Sequence, residues 1–197
     1  MIHNYNGTVF RNHSRITIFT FILLFASASL ISGQKSREEP PPLKERLFYG
    51  GSFGLQFGTI TDIQVSPVIG LWVLPRLAVA VGPDYIYYKD PFGSTNIYGG
   101  KGYLQFVVIQ NIGSILPVGA NLGVFLHVED DLLNLESSYW NNLLASNRFY
   151  INTVLAGGGI SQQIGRRSSL NIMVLWALNE SKYYVYSNPV IRFSFTF

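Results

Sequence analysis

From Arg46 onward, apolar and polar positions alternate with a period of two, the repeat that sends successive side chains to opposite faces of a strand. Ile63, Val65, Pro67, Ile69, Leu71 and Val73 share one face, against Asp62, Gln64, Ser66, Val68, Gly70 and Trp72 on the other. The pattern recurs at Phe53, Leu55 and Phe57, then at Leu77, Val79 and Val81, and again at Leu104, Phe106 and Val108. A fifth segment runs through Val118, Ala120, Leu122, Val124, Leu126 and Val128, and a sixth holds Phe149, Ile151 and Leu155. Leu170, Ile172, Val174, Trp176 and Leu178 mark the seventh, and Ile191, Phe193, Phe195 and Phe197 the eighth.

The opposite faces carry Ser52, Gly54, Gln56, Gln64, Ser66 and Asp84, followed by Lys101, Gln105, Asn121, His127, Asn152, Asn171 and Arg192. These groups are small or polar and sized for an interior. An apolar band outside a polar filling, closed so that no backbone edge meets lipid, is what a membrane barrel requires. The pattern therefore predicts an all-β fold: an eight-stranded antiparallel up-and-down transmembrane β-barrel over residues 46–197. A soluble barrel with its apolar face turned inward is the rival arrangement, and a hairpin in the longest loop would give ten strands.

Connection lengths bear on orientation, because such barrels have short periplasmic turns and longer outer loops. Leu74 to Arg76, Asn111 to Pro117 and Gly165 to Ser168 are expected as the short turns. Lys89 to Thr95, Asp130 to Asn147 and Glu180 to Asn188 are expected outside, with a tight loop near Gly58 to Thr61. Pro67 and Pro83 predict bulges or strand ends, since a missing N–H is harmless only at an edge. Tyr85, Tyr87, Tyr88 and Tyr98 are expected as an outer interfacial girdle and Phe48, Tyr49 and Trp72 as an inner one. Tyr183, Tyr184 and Tyr186 either extend the outer belt or decorate a loop.

Composition agrees with the pattern. Charged residues make up 13% of the chain and aromatics 15%, too little charge to coat a water-soluble sphere. The formal charge of +3 includes Arg11 and Arg15. Both lie in a polar stretch followed by the apolar, then small-residue run Ile16–Ser32, the order of a secretory signal. Residues 1–33 are read as a signal peptide and 34–45, with three consecutive prolines, as a periplasmic spacer of extended chain. Nucleic acid is not an expected partner, because no basic patch remains. The absence of cysteine removes disulfides and thiolate metal sites, and no cofactor is implied.

The run from Gln64 to Tyr88, QVSPVIGLWVLPRLAVAVGPDYIYY, resembles the small outer-membrane β-barrel proteins common in the Bacteroidetes group. In that family a Ser-Pro-x-x-Gly strand precedes a short proline turn, a glycine-containing strand and a tyrosine-rich rim. This sequence departs from the pattern at Leu71-Trp72, where tyrosine is more typical. Phe193, Phe195 and the terminal Phe197 are similar to the signal that passes such proteins to the barrel-assembly machinery. The resemblance implies residence in the cell outer membrane, with membrane lipids as partners, and carries over no catalytic residues.

Candidate chemistry centres on Asp84, Lys101 and His127, which are predicted to point inward at similar depths, with Glu129 above and Arg192 entering from the last strand. In a narrow lumen, acids and bases must interleave because an unpaired charge is costly there. The bland reading is a structural plug; the alternative is a gate for a narrow channel. A lipid-modifying enzyme built on His127 and Glu129 lacks an evident serine, so no catalytic residue is assigned. Leu132, Leu135, Tyr139, Trp140 and Leu143 are spaced for a short amphipathic helix on the rim. That helix could contact a surface protein or glycan. Asp130, Asp131 and Glu136 match no calcium loop, and no metal site is expected.

Overall fold

The computed structural model describes residues 41–197 apart from 115–120, 143–146, 166, 180–182, 184 and 187. The predicted signal peptide, most of the spacer, Val118, Ala120, Leu143, Arg166 and Tyr184 lie outside the described residues. One helical turn, Leu43–Arg46, stands where extended chain was expected at the end of the spacer. Its last residue fastens the barrel entrance: Arg46 Nε and Nη2 donate to the carbonyls of Trp72 and Val73 at 2.8 and 3.0 Å.

Eight strands follow: β1 (Leu47–Gln56), β2 (Thr61–Leu74), β3 (Leu77–Asp90), β4 (Gly93–Ile109), β5 (Leu122–Glu136), β6 (Arg148–Gln163), β7 (Ser169–Ala177) and β8 (Val190–Thr196). Each pairs antiparallel with the next, and β8 pairs with β1 to close the barrel. Closure gives every strand a neighbour on both sides, which an open sheet cannot do.

Connections at one end are Pro75–Arg76, residues 110–121 with a 3-10 turn at Ile112–Ser114, and residues 164–168. The chain also enters and leaves the barrel at this turn end, where Tyr49 and Phe197 exchange backbone hydrogen bonds of 3.2 and 2.7 Å. The β1–β2, β3–β4, β5–β6 and β7–β8 connections join the strands at the other, loop end.

Two connections at the loop end are shorter than expected. The β3–β4 connection is only Pro91–Phe92, because Asp90 Oδ1 accepts the N–H groups of Phe92 and Gly93 at 2.8 and 3.1 Å and folds the chain straight back. Residues 130–136 are not a rim helix but the upper part of β5, paired with β6 from Asp130↔Val154 to Glu136↔Arg148. The leucines spaced by three and four residues therefore separate: Leu132 faces outward, whereas Leu133 and Leu135 are buried inside.

The apolar faces of β1, β2, β3, β4, β7 and β8 point outward as the alternation predicts, exposing Phe53, Val65, Val81, Leu104, Trp176 and Phe193 among others. On β6 the faces are reversed. Leu155 is fully buried, Phe149 and Ile151 pack against the interior, and Asn152 and Tyr150 face out. The aromatics also divide differently. Phe48 is 5% exposed and its ring lies 6.0 Å from that of Trp72 inside the turn end, while Tyr88 is buried under the loop end. Tyr49, Tyr85, Tyr98 and Tyr150 are the tyrosines that face outward with large exposure.

Gly70 makes the turn-end packing possible, since a Cβ there would fall on the Phe48 ring. Pro67 and Pro83 produce no register shift; the recorded shifts lie at Trp72/Leu74 and Val107/Ile109. The two prolines instead occupy facing positions, and the β2–β3 ladder lapses only between Val65↔Tyr85 and Ile69↔Val81.

Candidate functional site

Inward positions at mid-height come from several strands: Gln64 and Ser66 on β2, Asp84 on β3, Lys101 on β4, His127, Glu129 and Asp131 on β5, and Arg192 on β8. Each of these eight residues is buried. The structure brings together all five predicted lumenal residues and adds Asp131, which sequence reasoning had placed in a loop. Its signal was the spacing, because His127, Glu129 and Asp131 fall at i, i+2 and i+4 on one strand face.

Lys101 is the hub. Its Nζ lies 3.6 Å from Asp84 Oδ2, 3.8 Å from Glu129 Oε2 and 3.8 Å from Asp131 Oδ1. Arg192, 0% exposed, pairs closely with Glu129 through Nη1 and approaches Asp131 Oδ2 with Nη2 at 3.4 Å. Three carboxylates thus share two fixed cations, and His127 adds a ring nitrogen 3.1 Å from Glu129 Oε2.

Neutral groups complete the layer. Asp84 accepts from Gln64 Nε2 at 2.9 and 2.7 Å and from Ser66 Oγ at 2.6 Å. Tyr186, from the β7–β8 loop, inserts its hydroxyl to donate to Asp131 Oδ2 at 2.7 Å, while Arg192 lies over its ring at 5.2 Å. No pattern in the sequence marks Tyr186 for this position, because loop residues carry no strand parity. Buried charges are tolerated only when each meets a counter-charge or hydrogen bond, and this arrangement supplies both.

Below the layer, toward the turn end, an open vestibule of about 520 Å³ is lined by Phe48, Trp72, Tyr103 and Gln105 among others. Above it, an apolar cap of Ile86, Tyr88, Ile97, Leu133 and Leu135 fills the barrel, with Tyr139, Trp140, Phe149, Ile151 and Tyr183 packed against it. A separate space of about 140 Å³ lies beside Asp62, Gln64 and Tyr186. Within the layer, beside Lys101, Glu129 and Arg192, the free space is about 10 Å³, room for about one water molecule.

The expected loop residues divide between wall and cap. Leu132 is on the outer wall, Leu135 is inside, and Tyr139 and Trp140 lie partly buried over the lumen mouth. The Tyr139 hydroxyl donates to the Gly93 carbonyl at 3.3 Å; burial is the main cause holding it above the ordinary phenol range, reinforced by the Asp90 carboxyl beside it. Phe92, which the sequence reading passed over, stands 96% exposed at the tip of the β3–β4 turn. His127 Nδ1 has no hydrogen-bond partner among the described residues. The three terminal phenylalanines, Phe193, Phe195 and Phe197, all face outward.

No family model matches the chain, and no curated protein matches it. Among solved structures, the N-terminal β-barrel domain of Pseudomonas aeruginosa OprF is similar at 10% identity and a TM-score of 0.44, covering 77% of this chain and 94% of that one. A structure from the de novo design of transmembrane β-barrels is similar at 12% identity and a TM-score of 0.40, covering 77% and 93% respectively. Both are distant likenesses of fold, and the identification of a closed eight-stranded barrel stands on the strand pairing itself.

Proposed function

We propose that this chain is an integral barrel of the cell outer membrane, closed to conduction, which serves a structural or surface-contact role. One observation carries the proposal: burial is inverted relative to a water-soluble barrel. Leu104, Leu126, Val128, Ile172 and Phe195 are exposed on the outer wall, while Asp84, Lys101, Asp131 and Arg192 are buried inside. Lipid is the medium in which that distribution is favourable, because each outward apolar side chain is then removed from water.

A role without transport is supported by the charge layer, where the free space beside Lys101, Glu129 and Arg192 is about 10 Å³, and by the apolar cap packed above it. The outer surface offers Phe92 at a turn tip and Tyr150 on the rim as contacts for membrane lipid or for a surface protein or glycan. Phe193, Phe195 and Phe197 serve recognition by the assembly machinery, and residues 1–33 serve export, in keeping with the Bacteroidetes-type resemblance.

Gel mobility of unboiled and boiled protein from fractionated membranes tests the location, and planar-bilayer recording tests the closed lumen. A mobility shift in the outer-membrane fraction with no unitary conductance is expected. A soluble periplasmic protein would overturn the membrane reading, and steady conductance in the unaltered chain would overturn the closed lumen in favour of a channel.

A further inference from the structure

The vestibule at the turn end has a wall chemistry that the barrel role does not use. Its volume of about 520 Å³ falls within the roughly 300–1,000 Å³ of small-molecule sites. Side-chain amides of Gln105, Asn111, Asn121 and Gln163 stand around it, with hydroxyls of Ser161, Ser169 and Thr196 between them. The rings of Phe48, Trp72 and Tyr103 supply apolar faces on the same wall. Among the side chains of the described lining residues only those of Glu45 and Arg167 are charged, and both are exposed to solvent.

That combination selects among ligands. An ion would find no buried counter-charge here, because the charge layer above is already paired within itself. A lipid tail would strip water from the amides and leave them unpaired, which costs about 1–3 kcal/mol for each group. A ring bearing adjacent hydroxyls suits both surfaces: amides offer a donor and an acceptor side by side, and aromatic faces accept the C–H side of the ring. Asn111 and Asn121 are already joined, Nδ2 to Oδ1, at 3.0 Å. No side-chain hydrogen bond holds Gln105 or Gln163 among the described residues, so their amides are available to a guest.

We infer that the vestibule is a binding site for a neutral oligosaccharide, with Gln105 and Gln163 as hydrogen-bonding groups and Trp72 as a stacking face. The barrel reading is needed only to place the site on the periplasmic side; the binding chemistry does not depend on it. Two sources could supply such a ligand, an N-acetylated wall glycan or a free neutral sugar.

The test uses the full chain folded in an amine-oxide detergent, which carries no sugar headgroup, with folding verified by the gel-mobility shift. Triacetylchitotriose and maltotriose are titrated separately while tryptophan emission is recorded. Saturable quenching is expected, weakened at least about tenfold in Gln105→Ala/Gln163→Ala and unchanged in Trp176→Phe, which alters only the outer wall. A response to the chitotriose alone assigns the site to wall glycan; a response to both assigns it to neutral sugars in general. Quenching by neither sugar, or quenching that survives the double substitution, overturns the inference. Gln163→Leu, at an exposed position, provides the same comparison should the double variant fail to fold. A missing mobility shift in the unaltered chain would instead count against the barrel reading, so the two failures are distinguishable.

Discussion

Replacing Arg192 with methionine probes the charge layer most directly. The side chain is fully buried, pairs with Glu129 and Asp131, and lies over the Tyr186 ring. Methionine fills similar space but leaves three carboxylates facing Lys101 as their one permanent cation. Removing one partner of a buried ion pair costs about 3–5 kcal/mol. His127 and Lys101 still contact Glu129, which sets the expectation for Arg192→Met at the lower end, about 3 kcal/mol. Equilibrium urea unfolding in phosphocholine vesicles, followed by tryptophan fluorescence, reads the loss directly. Combining Arg192→Met with Glu129→Gln removes the stranded charge as well, so the double variant is expected to recover about 2 kcal/mol relative to the summed single losses. A single-variant loss below roughly 1 kcal/mol, or strict additivity in the double, would refute a layer held by mutual charge compensation.

Three further outcomes follow from other parts of the molecule. Val128→Arg, on the outer wall, should cost about 2–4 kcal/mol in vesicles, whereas Tyr150→Arg near the rim should cost about 0–1 kcal/mol; equal costs in urea titrations would argue against a lipid-facing belt. Gly70→Val should destabilise by about 1–3 kcal/mol through overpacking against Phe48, and adding Phe48→Ala should restore part of that loss in the same titration. The hydrogen bond from Tyr139, followed by those from the Phe92 and Gly93 N–H groups, holds the Asp90 carboxyl below the ordinary carboxylate range. Its contribution to stability is therefore present above the unfolded carboxylate pKa and is lost as pH falls through the lower folded value. In a carboxyl-carbon NMR titration Tyr139→Phe should move the Asp90 midpoint upward, and an unchanged midpoint would exclude that hydrogen bond.

The strands and the lumenal residues were legible wherever inside and outside differ in polarity. At mid-height the contrast is sharp, so Asp84, Lys101, His127 and Arg192 fall on the inward face by parity alone. Near the loop end the contrast vanishes, because the interior there is an apolar cap. Leu132 and Leu133 face opposite ways yet look alike in sequence, and the upper part of β5 could be taken for a helix. The same loss of contrast reverses β6, where Phe149, Ile151 and Leu155 are apolar because they face the cap rather than the outside of the barrel. Glycine parity offers a correction: Gly157 and Gly159 are inward on β6, and a Cβ at Gly159 would stand 2.8 Å from the Phe125 ring. Tyr186 was beyond reach for another reason, since its place depends on how a loop folds over the rim.

The facing positions of Pro67 and Pro83 bear on how a closed wall tolerates residues that cannot donate. Had the two prolines fallen on different rungs, two separate stretches of ladder would each have lost a donor. Set opposite one another, they confine the defect to one stretch of the ladder, the three residue pairs between Val65↔Tyr85 and Ile69↔Val81. Gly82 then brings its α-carbon beneath the Pro67 carbonyl so closely that a Cβ would collide with that oxygen, an approach suited to a weak Cα–H···O contact in place of the missing amide. The wall therefore contains one seam where two amide donors are absent, and a side chain at position 82 would have to displace the Pro67 carbonyl.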